Sequence, residues 1–168
     1  MDKTHPIAEA LGLLPHPEGG FYRETYKSEL TVPGESVDLD SPRGLSTAIY
    51  YLLTPDTFSE MHRLDADEVW HHYLGDPVEQ LQLRDDGEDE GGVVILGPDL
   101  RADQRPQIVV PRGVWQGSRV IPGDHGYALC GTTMAPAFSF DGYEAGTRAD
   151  LGRRFPKHRE LIAALTRS

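Results

Sequence analysis

Short runs in which apolar and polar residues alternate make up much of this chain. Side chains of a β-strand point alternately to its two faces, so a period of two predicts strands with one buried face. The run 46–53, STAIYYLL, is rich in β-branched and aromatic residues, is apolar without interruption from residue 48, and predicts a strand that is buried on both faces. Further strands are predicted at 21–26, on either side of a turn at 65–67, and at 78–83, 93–96, 107–111 and 127–134. Short strands in this number, separated by Gly and Pro turns, predict a sandwich or a barrel.

Helical patterns are confined to the two ends of the chain. Residues 4–11 predict a short helix in which Thr4 is the cap and Gly12 ends the helix. Near the other end, about 156–167, three apolar residues form one stripe among charged ones, which predicts a helix packed on the outside of the barrel. These stripe residues are Leu161, Ile162 and Leu165. The segment after Phe140, which contains Tyr143 and Glu144, is predicted to be a loop.

Length and composition favour one compact all-β domain. A chain of 168 residues with 18 Gly and 13 Pro is long enough for a single core, and we assign residues 1–168 to one domain with a barrel at about 20–145. The formal net charge of −11 argues against a nucleic-acid groove and against binding to an anionic membrane. The single cysteine, Cys130, excludes an internal disulfide. With no leader pattern and no apolar run of membrane length, the chain is expected to be cytoplasmic.

The stretch 59–76, SEMHRLDADEVWHHYLGD, holds the residues best suited to chemistry. His62 and Leu64 are two apart and therefore point to the same side of a strand. After the turn, Glu68, Trp70 and His72 share one face of the next strand. An imidazole and a carboxylate are thus delivered to one face by adjacent strands.

The spacing in this stretch resembles the first motif of the cupin superfamily, which reads His-x-His, three or four residues, Glu, six residues, Gly. Here the positions are His62, Leu64, Glu68 and Gly75, so a leucine replaces the second histidine. The second cupin motif, Pro-x-Gly-x-x-His, is matched by Pro111 and Gly113, with Gln116 in place of the histidine. If Gln116 faces inward as this motif suggests, Ser118 lies on the same side.

A closer resemblance covers roughly residues 11–145. HPEGGFYRETY, TAIYYLL, MHRLDADEVWHHYLGDP, VPRGVWQG and APAFSFDGYE together look like the Cupin_5 group, also called DUF985. This resemblance implies a double-stranded β-helix (the cupin or jelly-roll barrel), a pocket inside the barrel and a homodimer. It does not imply a particular reaction, because the group lacks an agreed activity.

The potential metal ligands are few. His62 and Glu68 supply two, Gln116 is a weak neutral third, and Leu64 supplies none, whereas a first-row transition metal wants three or more imidazole or carboxylate ligands. The ligand count therefore favours no metal cofactor. A divalent metal held by these residues, in a dioxygenase-like enzyme, is the weakest of the functional alternatives.

The preferred interpretation is a pocket that binds a small cyclic ligand, such as a sugar, a sugar nucleotide or a heterocycle. Leu64 and Trp70 would form a flat apolar wall, while Glu68, His72, Gln116 and Ser118 would supply directed hydrogen bonds. The contrasting interpretation is that Trp70 only fills the core and that His62 and Glu68 satisfy one another.

The alternative is a metal-independent epimerase or isomerase, since some cupin-fold deoxysugar epimerases use a His base and a Tyr acid. His62 would be the base, Glu68 would orient it, and Tyr50 or Tyr51 would be the acid. The sequence leaves open which tyrosine faces the barrel and whether the protein catalyses any reaction. His16 and Glu18, in the dense turn before residue 21, are assigned to local hydrogen bonds.

Overall fold

The computed structural model describes residues 5–85 and 89–167. Its strands are β1 (Leu14–Pro15), β2 (Phe21–Lys27), β3 (Thr31–Val32), β4 (Arg43–Gly44), β5 (Thr47–Leu53), β6 (Phe58–Leu64), β7 (Glu68–Gly75), β8 (Val78–Leu83), β9 (Gly91–Leu96), β10 (Gln107–Val110), β11 (Trp115–Val120), β12 (Ala128–Met134) and β13 (Tyr143–Ala145). Its α-helices are α1 (Pro6–Leu11), α2 (Arg148–Arg154) and α3 (Arg159–Ala164). Short 3-10 turns lie at Gly34–Val37, Leu100–Ala102, Phe140–Gly142 and Pro156–His158.

Two antiparallel sheets form the barrel. The larger sheet has the order β1-β2-β5-β12-β7-β10, and the smaller sheet has the order β13-β6-β11-β8-β9. One apolar cluster contains side chains from both sheets, including Tyr51 and Cys130 from the larger sheet and Val78 and Val120 from the smaller one. The prediction of an all-β barrel of the double-stranded β-helix type, with short helices at both ends, is confirmed.

Strand β5 shows why the larger sheet is buried on both faces near α1. Its inward positions include Ile49 and Tyr51, which contact the barrel core. Its outward Leu52 is fully buried in a second cluster with Ala8 of α1. The continuous apolar run in the sequence therefore reflects two covered faces.

The C-terminal segment covers the outer face of the smaller sheet. Met61 and Trp115 of that sheet pack against Leu151 of α2 and against Ile162 and Leu165 of the last segment. The apolar stripe was predicted correctly, but the helix was not continuous over 156–167. Residues Pro156–His158 form a 3-10 turn before α3, and α2 was missed.

Two local features differ from the sequence prediction. The predicted cap Thr4 lies outside the described residues, and His5 is the N-cap of α1, with its Nδ1 accepting a hydrogen bond from the amide of Ile7. Tyr143 and Glu144 do not lie in a loop, because β13 pairs with β6 and sets Ala145 opposite His62. Within the described residues, no helix is both long enough and apolar enough to cross a membrane.

Candidate functional site

A cavity of about 240 Å³ lies between the two sheets, at one end of the barrel. The strand registers explain its place. Leu53 and Ala128 pair at the end of β5 and β12 that is filled by the apolar core. Thr132 and Ile49 pair nearer the other end, and both line the cavity. The lining side chains are His16, Glu18, Tyr22, Glu24, Thr47, Ile49, Tyr51, His62, Leu64, Glu68, Trp70, Thr132, Met134, Phe138 and Phe140.

His62 sits in the middle of β6 and is only 2% exposed. Its Nδ1 lies 2.6 Å from the carbonyl oxygen of Glu60. A carbonyl can only accept, so Nδ1 must carry the proton and Nε2 of the neutral ring holds a lone pair. Nε2 has no hydrogen-bond partner among the described residues. It is also absent from the fully enclosed unpaired atoms of that part of the chain, so part of its surface is accessible. Together with the place of His62 in the lining, this leaves the lone pair of Nε2 open to the cavity.

The ring of His62 is held from both sides of its strand. Tyr143 of β13 stacks on it, with ring centroids 5.3 Å apart and an angle of 24° between the planes. On the other side, β11 pairs Gln116 with His62. Burial lowers the pKa of His62 below its ordinary value, and the carboxylate of Glu68 opposes part of that shift. At neutral pH the ring is therefore uncharged.

Glu18 reaches the same site from the loop before β2. The loop is locked against β6, since the amide of Glu60 donates to the carbonyl of Glu18 at 3.0 Å. Gly19 has a φ of 110°, and a Cβ there would lie 2.0 Å from the carbonyl oxygen of Phe58, so only glycine fits. Oε2 of Glu18 lies 3.4 Å from Oγ of Ser59 and 3.4 Å from Nδ1 of His62.

Burial raises the pKa of Glu18 to about 8, partly offset by the hydrogen bond from Ser59. At neutral pH most of this carboxyl is consequently protonated. The contact between Glu18 and His62 is then a contact between two uncharged groups and not an ion pair. Groups whose pKa values are displaced in opposite directions from their ordinary values are typical of sites that transfer protons or bind charged ligands.

Glu68 is fixed by two donors on its Oε2. Nε2 of Gln116 lies 2.8 Å away and Nε1 of Trp70 lies 3.1 Å away. Trp70 also donates to Oε1 of Gln116 at 3.1 Å, which closes a small buried network. Burial raises the pKa of Glu68, while His62 and the hydrogen bond from Gln116 lower it. This network sets the orientation of the indole as well as that of the carboxyl.

The dense turn contributes more than local hydrogen bonds. As predicted, His16 makes one, its Nδ1 accepting from the amide of Glu18 at 3.1 Å. Yet His16 and Glu18 also line the cavity. The His16 ring meets Tyr22 edge-on at 4.5 Å and Tyr51 at 5.2 Å. Burial lowers the pKa of His16 to about 4, and the neighbouring His62 adds to the shift.

The two candidate tyrosines lie on opposite faces of β5. Tyr51 faces the cavity, whereas Tyr50 packs on the outer face near α1, edge-on to Tyr73. The hydroxyl of Tyr51 donates to the carbonyl of Gly19 at 2.8 Å, and burial raises its pKa well above the ordinary value. The Tyr51 hydroxyl therefore fastens the loop and has no proton to spare for a ligand.

Three other predicted pocket residues do not line the cavity. His72 follows Trp70, which packs in the apolar core, and its Nε2 lies 3.1 Å from the carbonyl oxygen of Asp76. Ser118 is fully buried and accepts from Gln80 at 3.1 Å. Gln116 lies behind Glu68 and Trp70 and orients both. Leu64, Trp70, His62 and Glu68 do line the cavity.

Several lining residues were missed, and alternation could have found some of them. Tyr22 and Glu24 are two apart in β2 and share one face, but nothing in the sequence indicates that this face is the inner one. Thr132 and Met134 show the same pattern on β12. Phe138 and Phe140 follow β12, and Phe140 is 60% exposed, so it lies at the mouth of the cavity.

Two of the potential metal ligands are already engaged in hydrogen bonds. Glu68 uses its Oε2 for Gln116 and Trp70, and Nδ1 of His62 is bound to a backbone carbonyl. In the described ranges, no three His, Cys, Asp or Glu side chains are grouped so that they could hold a metal. Leu64 and Gln116 occupy the other two motif positions and supply no imidazole or carboxylate ligand.

Sequence comparison matches the chain to a known family. The sequence model of Cupin_5, described as "Cupin superfamily (DUF985)", matches residues 5–146. The protein YML079W of Saccharomyces cerevisiae, whose name describes it as uncharacterized, is 31% identical over 139 residues, which cover 77% of this chain and 68% of the yeast protein.

Solved structures of similar proteins share the fold of this chain. A hypothetical protein from Leishmania major superposes with a TM-score of 0.85 at 32% identity, covering 96% of this chain and 97% of that one. Protein SO0799 from Shewanella oneidensis gives 0.84 at 34% identity and covers 99% of both chains. Oxalate decarboxylase from Bacillus subtilis (0.53, 13% identity, 90% of this chain and 36% of that one) and a dTDP sugar isomerase from Desulfovibrio desulfuricans (0.51, 14% identity, 75% and 83%) share the fold alone.

The buried carboxyl of Glu18 predicts a pH-dependent stability. Because folding raises its pKa from 4.5 to about 8, its contribution is fully present below pH 4.5 and is lost as the pH rises toward 8. Glu18→Gln has no carboxyl to titrate, so this pH-dependent loss of stability should disappear in the variant. Relative to wild type, the variant should gain about 3 kcal/mol of unfolding free energy between pH 5 and pH 8. Urea unfolding at several pH values measures it.

Glu9→Gln is the matched control, since Glu9 is an exposed residue of α1 away from the cavity. Its unfolding free energy should run parallel to that of wild type over the same pH range. A Glu18→Gln curve that also ran parallel would show that Glu18 is ionised in the folded protein at neutral pH.

Proposed function

Because this chain belongs to the Cupin_5 (DUF985) family of the cupin superfamily, we propose that it binds a small cyclic ligand inside its β-barrel. Membership of the family indicates the fold and the position of the pocket, but the function must be inferred from the residues of the site. The single observation that carries the proposal is an open lone pair on the deeply buried His62, in a cavity walled by aromatic rings.

The lining has the composition of a ring-binding site. Tyr22, Tyr51, Trp70 and Phe138 supply flat apolar surfaces on which a ring can stack. A few polar groups set its orientation, foremost Nε2 of His62 and the carboxyl of Glu18. Pockets for small molecules combine these two features, with many apolar contacts and few directed ones.

The volume limits the size of the ligand. A cavity of about 240 Å³ is equivalent to about eight water molecules at roughly 30 Å³ each. It is smaller than the roughly 300–1,000 Å³ of pockets for drug-sized ligands. A single five- or six-membered ring with one or two substituents suits this space better than a whole sugar nucleotide.

A metal-independent isomerase is the second candidate, and a specific arrangement favours it. Nε2 of His62 can take a proton, and the carboxyl of Glu18, protonated at neutral pH, can give one. Glu18 replaces the tyrosines in this scheme, since Tyr50 faces outward and the hydroxyl of Tyr51 is bound to Gly19. A metal-dependent oxygenase has less support, because Leu64 and Gln116 stand at two of the four metal-ligand positions of the cupin motifs. The homodimer that the resemblance implies stays a prediction.

Binding can be read from the indole of Trp70. In a Trp115→Phe background, Trp70 is the only tryptophan, because the chain has two. Benzyl alcohol, an uncharged six-membered ring, should change the Trp70 emission saturably. We expect a dissociation constant on the order of 1 mM, which is typical of so few atoms.

The reciprocal variant, Trp70→Phe, is the control. Its remaining Trp115 packs under α2 and α3 on the outside of the barrel, so the same titration should leave its emission unchanged. An equal response of both single-tryptophan proteins would mean that the probe does not enter the cavity, and the binding proposal would be wrong.

The isomerase candidate predicts exchange with solvent. A base at His62 should catalyse deuterium incorporation from D₂O next to the carbonyl of cyclohexanone, an uncharged ring of suitable size, as followed by NMR. His62→Gln should abolish the exchange and Glu18→Gln should slow it at least tenfold. If wild type and His62→Gln exchange this proton equally slowly, binding without turnover is the better description.

A further inference from the structure

The permanently charged or acidic side chains that line the cavity are all carboxyl groups. Its described lining contains three carboxyl groups, those of Glu18, Glu24 and Glu68, and no Lys or Arg. Two of the three are deeply buried, with Glu18 6% exposed and Glu68 7% exposed. Glu24 is exposed and stands with Phe140 at the mouth. A ligand that brought a carboxylate or a phosphate into this space would find no permanent cation to pair with.

Aromatic faces surround the same space. Tyr51 and Trp70 lie 5.4 Å apart at an angle of 53°, and Phe138 meets Phe140 edge-on at 4.9 Å near the mouth. The face of an aromatic ring is its negative side, so such walls attract cations. Aromatic walls combined with carboxyl groups are the usual means of binding organic cations.

One polar atom of the deeply buried His62 indicates which kind of cation. Nε2 of His62 is an acceptor with no partner among the described residues, and it opens on the cavity. A quaternary ammonium ion has no hydrogen to donate to it, whereas a protonated amine or a protonated nitrogen heterocycle has. An N–H donor placed there would satisfy the acceptor and bring its positive charge into a cavity that Glu18 and Glu68 also line.

From this geometry we propose that the ligand of the barrel is a small ring that carries a protonated nitrogen, in the ring or on a substituent, with an N–H that donates to Nε2 of His62. The inference rests on the proposed ring-binding function and specifies the charge of the ring. It excludes carboxylate and phosphate ligands.

The cost of charging the site agrees with this choice. To bind a cation at pH 7, Glu18 must ionise, and with a pKa of about 8 this costs about tenfold in affinity. To bind an anion, a histidine must become charged, and for His16, with a pKa of about 4, this costs about a thousandfold. The site is therefore far easier to make negative than positive.

Other charged and titratable groups also face Glu18, and they influence how readily its carboxyl ionises when a ligand binds. They are Glu60, His62 and Tyr143 of the smaller sheet, Tyr51 and Glu68 of the larger sheet, and His16 of its own loop. Glu60 lies 3.5 Å from Arg167, which offsets part of its repulsion. Among all these groups, we expect Glu18 to be the one that changes its protonation state when a ligand binds near neutral pH.

Three probes with the same ring separate charge from shape. They are benzylammonium, benzyl alcohol and benzoate, titrated by calorimetry into the full chain at pH 8. Benzylammonium should bind at least tenfold more tightly than the alcohol, and benzoate at least tenfold more weakly. At pH 7, binding of benzylammonium should release close to one proton, as measured in two buffers of different ionisation enthalpy, because Glu18 ionises.

Glu18→Gln tests the role of the carboxyl. The variant should lose the proton release and most of the preference for benzylammonium, while its affinity for benzyl alcohol stays within about twofold, which also shows that the variant is folded. Glu9→Gln, the exposed control in α1, should behave as wild type. His62→Gln separates the hydrogen bond from the charge, since it should weaken benzylammonium while leaving the proton release.

The outcomes are distinct. If the alcohol or benzoate binds as tightly as benzylammonium, the cation inference is wrong and the ring-binding function stands. If none of the three rings binds to wild type at 10 mM, an order of magnitude above the expected constant, both are wrong. A cation preference that survives unchanged in Glu18→Gln would also contradict the inference.

Discussion

The hydrogen bond from Nδ1 of His62 to the carbonyl of Glu60 is the constraint on which the site depends. It is a short-range bond within one strand, so the extended backbone of β6 brings the acceptor to the ring without help from other elements. It decides which nitrogen carries the proton, and so it decides that the cavity meets a lone pair. Stacking on Tyr143 and the pairing of β6 with β11 then fix the plane of the ring.

The remainder of the site packs around that ring and keeps it buried. Glu18 approaches from a loop that only glycine at position 19 allows to pass so close to Phe58. Glu68 approaches from the facing sheet and is held by Gln116 and Trp70. Burying two carboxyl groups and two imidazoles costs folding free energy, which a protein selected for stability alone would avoid. We therefore interpret the cluster as functional.

The sequence could predict the strands that carry the site but not the loop that completes it. Alternation placed His62 with Leu64 and Glu68 with Trp70 on inner faces, because a period of two is a local property of the backbone. It also placed His72 inside, but the barrel is closed at Trp70, and where a barrel fills depends on packing between distant strands. Glu18 and His16 lie in a loop without periodicity, and only its docking against β6 brings them to His62. Tyr50 and Tyr51 could not be separated before the facing of β5 was known.

Nitrogen NMR of the His62 ring tests this account most directly. The chain has seven histidines, and comparison with His62→Gln assigns the signals of this one. At pH 7 we expect a protonated Nδ1 and an unprotonated Nε2, with the neutral ring persisting below pH 6.5 because burial lowers its pKa. A proton on Nε2, or a charged imidazolium at pH 7, would contradict the account, because the cavity would then face a donor and not an acceptor.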